Sequence, residues 1–238
     1  MLLQSTDLSR IIIIFIGQLI LASIFIFIAI KLLKRTRPRP IITLSILYFL
    51  LTTGFIFNVL HVLIAVIQPE NEVLLTVIYF LSFYPLLFSS IFLLTFIICI
   101  LKLGDVFTLK KQFIITMIYG FVTLLIFFIP GGITFTEQWR PIYSWSFFTA
   151  IYISFTIFVT IPTIWYSRLL LRTFQDRILK KKLKTFLIGV FGMYLSVYGG
   201  TLYITWQNPL FSSIWSVVTF LLLIPSAIFI YYGIGREL

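Results

Sequence analysis

The sequence predicts an all-α polytopic integral membrane protein: one bundle of seven transmembrane helices over residues 1–238, with the N-terminus outside and the C-terminus cytoplasmic. Three observations carry this. Hydrophobic residues make up 61% of the chain and charged ones 11%, with a mean hydropathy of +1.12. Water does not disperse such a chain, whereas lipid accepts apolar side chains all round a helix. Apolar runs of spanning length recur seven times. The cations between them gather on one side.

The runs fall at about 11–33, 41–67, 73–101, 113–130, 144–170, 184–205 and 212–234. The first opens "IIIIFIGQLI" after "MLLQSTDLSR", which lacks the basic region of a cleavable leader, so it is expected to remain as a span. "KLLKRTRPRP" follows, and Pro38 and Pro40 stiffen the turn into the second run. The third carries Pro85 inside it. The fourth is the shortest, ended by "PGG" at 130–132. The fifth holds Pro162 and continues into "SRLLLRTFQDRILKKKLKTF", where Arg168, Arg172 and Asp176 at every fourth position extend the helix and a reversal is expected between Phe174 and Leu179. The sixth repeats Gly192, Ser196 and Gly200, a stripe of small residues that lets another backbone approach, from within the bundle or from a second protomer. Pro225 lies in the seventh. Prolines inside spans are expected as kinks.

Every Asp, Glu, Lys and Arg falls outside the spans or at their ends, as Lys31, Arg168 and Lys184 do, and 16 of the 18 basic residues fall on one side. Cytoplasmic loops carry such an excess, which sets the orientation. Trp139, Trp145, Trp206 and Trp215 map to the opposite face, as an aromatic belt at a membrane interface does. The net charge of +11 therefore points to orientation and anionic lipid, with Arg35, Arg37, Lys180, Lys181, Lys182 and Lys184 at the headgroups, and not to nucleic acid.

The same charge-free core bounds the chemistry. Without a lysine in the seventh span there is no Schiff base for retinal, and without membrane-depth carboxylates the usual proton-coupling groups of pumps are missing. One histidine and one cysteine, His61 and Cys99, cannot build a metal cluster or an intrachain disulfide. Neither a P-loop nor a dinucleotide fingerprint occurs, nor a G-x-S-x-G elbow. The expectation is no enzyme and no cofactor.

What polar character the spans have collects below the outer surface. By helical rise, His61 lies roughly 9 Å deep, Asn58 roughly 13 Å and Gln18 roughly 10 Å. Tyr84, Tyr198, Thr201 and Ser216 lie within a turn or two of that level, as do Ser82 and Thr219. Two readings stay open: interhelical hydrogen bonding, or a shallow ligand site opening outward in which His61 takes up a proton as pH falls.

"DRILKKKLKTFLIG" leading into a Gly-rich sixth span, then an apolar seventh ending "IPSAIFIYYGIGREL", resembles the seven-helix N-terminal sensor region of prokaryotic histidine kinases and diguanylate cyclases. The resemblance covers mainly residues 170–238. It implies signalling through the seventh helix, and with no kinase or cyclase following in this sequence it implies a separate cytoplasmic partner. The expected function is a receptor-like sensor module in a cell membrane that binds a small or lipidic ligand in its outer half. The alternatives are a facilitative transporter or channel for an uncharged solute, and a structural membrane subunit. The sequence sets no oligomeric state.

Overall fold

Side chains that can cap a helix stand at the starts of five helices, and each does so. A computed structural model describes residues 13–34, 38–101, 107–137 and 139–235. In it α1 runs as a π-helical stretch, Ile13–Gln18, into Leu19–Leu33, and α2 spans Arg39–Ile67. Then come α3 (Glu72–Ile100), α4 (Leu109–Ile126), a hairpin of β1 (Ile133–Phe135) and β2 (Pro141–Tyr143), α5 (Trp145–Thr173), α6 (Arg177–Thr205) and α7 (Pro209–Ile230, continued as a π-helical stretch to Gly235). Asn71, Thr108, Ser144, Asp176 and Asn208 accept hydrogen bonds from first-turn amides of α3 to α7, satisfying donors that a helix leaves unpaired. Pro40 sits in the first turn of α2, where its missing N–H costs nothing.

Among the described residues, seven helices are long and apolar enough to cross a membrane. Their limits differ from the apolar runs where helix outlasts hydrophobicity. α6 begins at Arg177, well before the run at 184, because Asp176 caps it and the lysines are good helix formers. α4 ends at Ile126, and turns at 127–132 lead into the hairpin. The reversal between α5 and α6 occupies 174–176, within the expected window.

The helices alternate in direction, so the molecule has two ends. The hairpin end carries β1, β2 and the α2–α3 turn. The basic end carries the α1–α2, α3–α4 and α5–α6 connections. α3 is the central helix: 67% of its most apolar window is buried, against 25–44% in the others. It packs along α2 and meets α4, α5 and α6. Hydroxyls in this core mostly bond back to carbonyls of their own helix, as Ser45 to Ile41, Thr52 to Tyr48 and Ser89 to Leu86. Such bonds satisfy the hydroxyls within their own helix, so polar side chains can lie in an apolar interior at little cost. Phenols do the cross-linking: Tyr48 donates to the Ala227 carbonyl, Tyr119 to Leu87 and Tyr84 to Gly120, at 3.0, 3.2 and 3.3 Å.

α5 is interrupted by a π-helical turn, Thr156–Thr160, two residues before Pro162. Proline cannot donate to the carbonyl four residues back and its ring crowds it, so the preceding turn widens. The widened turn offers Thr156 and Thr160 together to Tyr198 of α6, at 2.7 and 2.8 Å. One turn on, Thr163 bonds the Tyr194 phenol at 2.9 Å.

The α6–α7 seam depends on missing side chains. A Cβ on Gly189 would stand 2.6 Å from the Ser226 carbonyl, one on Gly192 would overlap the Ser226 hydroxyl, and one on Gly199 would overlap the Trp215 indole. Ser196 stays on this helix, bonding the Gly192 carbonyl at 3.1 Å. Gly200 has open space where its side chain would be. The expected four-residue stripe therefore rotates: the close approach uses Gly189, Gly192 and Gly199, since a straight helix of 3.6 residues per turn drifts away from a strict repeat of four.

Candidate functional site at the hairpin end

The segment 133–143 alternates Ile133, Phe135 and Tyr143 with polar neighbours, and folds as a two-stranded antiparallel hairpin pairing Ile133 with Tyr143 and Phe135 with Pro141. Its tip turns tightly, with Thr136 donating its N–H to the Arg140 carbonyl and Trp139 donating to Thr136, and Trp139 in the left-handed region at φ 55°. The hairpin folds back over the helices. The Trp139 indole N–H donates to the Pro69 carbonyl at 3.0 Å, which pins the tip to the α2–α3 turn.

Beneath lies a packed aromatic cluster built from four elements. α2 supplies His61, only 1% exposed. α3 supplies Tyr79 and Phe83, the hairpin Phe135 and Tyr143, and α5 Phe147. The His61 ring lies 5.3 Å from Tyr79 and 6.0 Å from Phe135, centroid to centroid, and Tyr79 meets Phe135 edge-on at 5.3 Å. Tyr143 packs against Phe83 at 5.3 Å and Phe147 at 4.9 Å. Offset and edge-on rings at these distances attract beyond the area they bury. The Tyr143 hydroxyl hydrogen-bonds the Tyr79 hydroxyl, so the hairpin is tied to the central helix through a buried phenol pair. Burial, reinforced by Tyr79, pushes the Tyr143 phenol well above its ordinary range, so it stays neutral and able to donate.

The polar residues expected in one layer fall into separate groups. Gln18 and Asn58 meet across α1 and α2, with Asn58 Nδ2 donating to Gln18 Oε1 at 2.8 Å. His61 is three residues further along α2 and thus turned about 60° away, enough to face α3 and the hairpin instead. Tyr84 faces α4 and Tyr198 faces α5. Thr201 bonds the Val197 and Tyr198 carbonyls, Ser82 the Tyr79 carbonyl and Thr219 the Trp215 carbonyl, each within its own helix. The side chain of Ser216 lies outside the described residues. His61 itself is buried, with Phe135 of the hairpin against it. Tyr79, Phe135, Tyr143 and the inward role of Trp139 are the residues that reading for spans missed; the aromatic and β-branched content of "ITFTEQWRPIY" was the available signal.

At the basic end, Lys181 and Lys184 are exposed, Lys180 and Lys182 half-buried. Arg35 and Arg37 lie outside the described residues. A second polar contact joins α2 to α4 here, Gln112 Nε2 donating to Thr43 Oγ1 at 3.2 Å, with the Cys99 thiol of α3 directed at Gln112 Oε1 at 3.8 Å.

Comparison with protein-family models, with curated proteins and with solved structures gave no match for the chain. The structure defines a class: an all-α chain of seven helices long and apolar enough for a multi-pass membrane protein, capped at one end by a β-hairpin.

Proposed function

We propose that the chain crosses a cell membrane seven times, hairpin end outside and basic end in the cytoplasm, and acts as a receptor-like sensor whose hairpin cap answers a small or lipidic ligand. The one-sided distribution of cations supports the orientation. The carrying observation for the function is the Tyr79–Tyr143 phenol pair beside His61. The cluster is closed as it stands, and its aromatic walls with few polar groups suit a ligand with one hydrogen-bonding group and an apolar body once the hairpin parts from α3. Entry would exchange the phenol–phenol bond for a phenol–ligand bond and lift the hairpin from α3. Because α3 is central and meets α5 and α6, the movement would pass to the α5–α7 half, consistent with the resemblance of residues 170–238 to sensor regions that signal through their last helix. A separate cytoplasmic partner would receive the signal.

The test is a compound screen on the chain in lipid nanodiscs, read as thermal stabilisation, since a ligand that prefers the folded form raises its stability by mass action. A small polar or lipidic compound that stabilises the wild type but not Tyr143→Phe or His61→Leu supports the reading. Solute flux in proteoliposomes, untouched by either substitution, would replace it with transport.

A further inference from the structure

The exposed faces of α5 and α6 change character at one level. On α5 the exposed residues run Ile157, Ile161 and Trp165, then Arg168 and Arg172; on α6 they run Leu195 and Ile188, then Lys184 and Lys181. Each face passes from mainly apolar to mainly cationic within about a turn, with Leu169 and Ile178 the exposed apolar residues among the cations. Trp165, 70% exposed, marks the boundary on α5. About 30 Å of helix separates it from exposed Trp145 at the other end, the thickness of a bilayer's hydrocarbon. Exposed tryptophans at both ends of that length are what membrane interfaces select.

The register between the two helices follows from their hydrogen bonds. Helical side chains lean toward the helix N-terminus, which for α6 is the basic end, so a phenol reaches about one turn that way. The Thr163–Tyr194 bond therefore sets Thr163 level with about residue 190, and the two bonds of Tyr198 give the same alignment. Counting outward, Trp165 stands level with Ile188, Arg168 with Lys184 and Arg172 with Lys181. By this count two levels, or rungs, each carrying one exposed cation of α5 and one of α6, begin roughly 6 Å apart along the axis. Cations outnumber the one acid of this turn, Asp176, which also caps α6 by accepting from the Ile178 amide at 2.7 Å, so positive charge is left in excess. The rungs call for an anion from outside the chain.

We infer that Arg168, Arg172, Lys181 and Lys184, with Trp165 beneath them, form a binding site for the phosphate headgroup of an anionic phospholipid in the adjacent leaflet. The occupant is a lipid because the site begins at the hydrocarbon boundary and reaches only as far as headgroups do, so the phosphate meets the cations while its acyl chains lie along Trp165 and Ile188. Arginine forks a phosphate with two parallel N–H donors, and the lysines add charge. This inference rests on the proposed crossing of a bilayer but not on its direction or on the sensor function.

The experiment measures quenching of Trp165, taken as the fluorescence difference between the wild type and Trp165→Phe, in nanodiscs containing brominated phosphatidylglycerol or brominated phosphatidylcholine. Expected is about a fivefold preference for phosphatidylglycerol for each cation engaged, the ~1 kcal/mol a cation gains at an anionic surface. The preference should vanish in the R168Q/R172Q/K181Q/K184Q variant while quenching by brominated phosphatidylcholine persists, which also shows that the variant is folded and inserted. Equal quenching of the wild type by both lipids overturns the site, leaving the rungs to an acidic protein segment. Quenching by neither lipid overturns the bilayer reading itself.

Discussion

At the hairpin end, Tyr143 meets Tyr79 across a closed contact and Trp139 reaches the Pro69 carbonyl, so the helices are tied by groups with fixed direction. At the basic end, Arg168 and Arg172 of α5 and Lys181 and Lys184 of α6 stand exposed on either side of the connector, free of any tie between helices that the structure needs. One end is closed by shape and the other dressed by charge. Damage to the first should appear as lost stability, and damage to the second as lost affinity for something outside the chain.

The largest effect should come from Tyr143→Ala, which empties a buried aromatic site and orphans the Tyr79 hydroxyl. Large-to-small aromatic changes in a packed interior cost about 3–5 kcal/mol, so the melting temperature in detergent should fall steeply and limited proteolysis should cut within 133–143. Gly189→Val asks whether the basic half of the molecule is loose inside as well as charged outside. Its Cβ would meet a backbone carbonyl that cannot step aside; overpacking of this kind costs about 1–3 kcal/mol, and a wild-type melting temperature would show that the α6–α7 seam is not tight.

Tyr143→Phe isolates the phenol contact and should cost about 1 kcal/mol near neutral pH. Its pH dependence has a definite sign. The folded phenol titrates above the unfolded value of about 10. Its contribution is therefore whole below that pH and shrinks as pH rises above it, where the unfolded chain ionises first. Alkaline melting curves of wild type and Tyr143→Phe should converge. The smallest effect belongs to Lys181→Gln with Lys184→Gln, which should move the melting temperature little, by less than about 0.5 kcal/mol, while weakening retention of anionic lipid through purification.

How much of this was readable in the sequence follows from what each feature depends on. Helices, caps and the charge-free interior are local properties: Asn71, Thr108, Ser144, Asp176 and Asn208 stand before their helices in plain view. Depth along a helix was also legible, since rise is fixed at about 1.5 Å per residue. Azimuth was not. Asn58 and His61 lie close in sequence and depth, yet one faces α1 and the other α3, because about 60° of rotation at the packing surface selects a different neighbour. The same sensitivity moved the α6 contact from Gly200 to Gly199. The hairpin escaped because its strands are three residues each, and their pairing is held by contacts to α2 and α3 that no local pattern encodes.

The most direct test of the account asks which side of a membrane each end occupies. Glu137→Cys in the hairpin loop and Gln175→Cys in the α5–α6 turn, each in a Cys99→Ala background, would be exposed to a membrane-impermeant maleimide on intact cells. The account predicts that position 137 labels at once and position 175 only after permeabilisation. Labelling of 175 on intact cells, or of both positions alike, would contradict it.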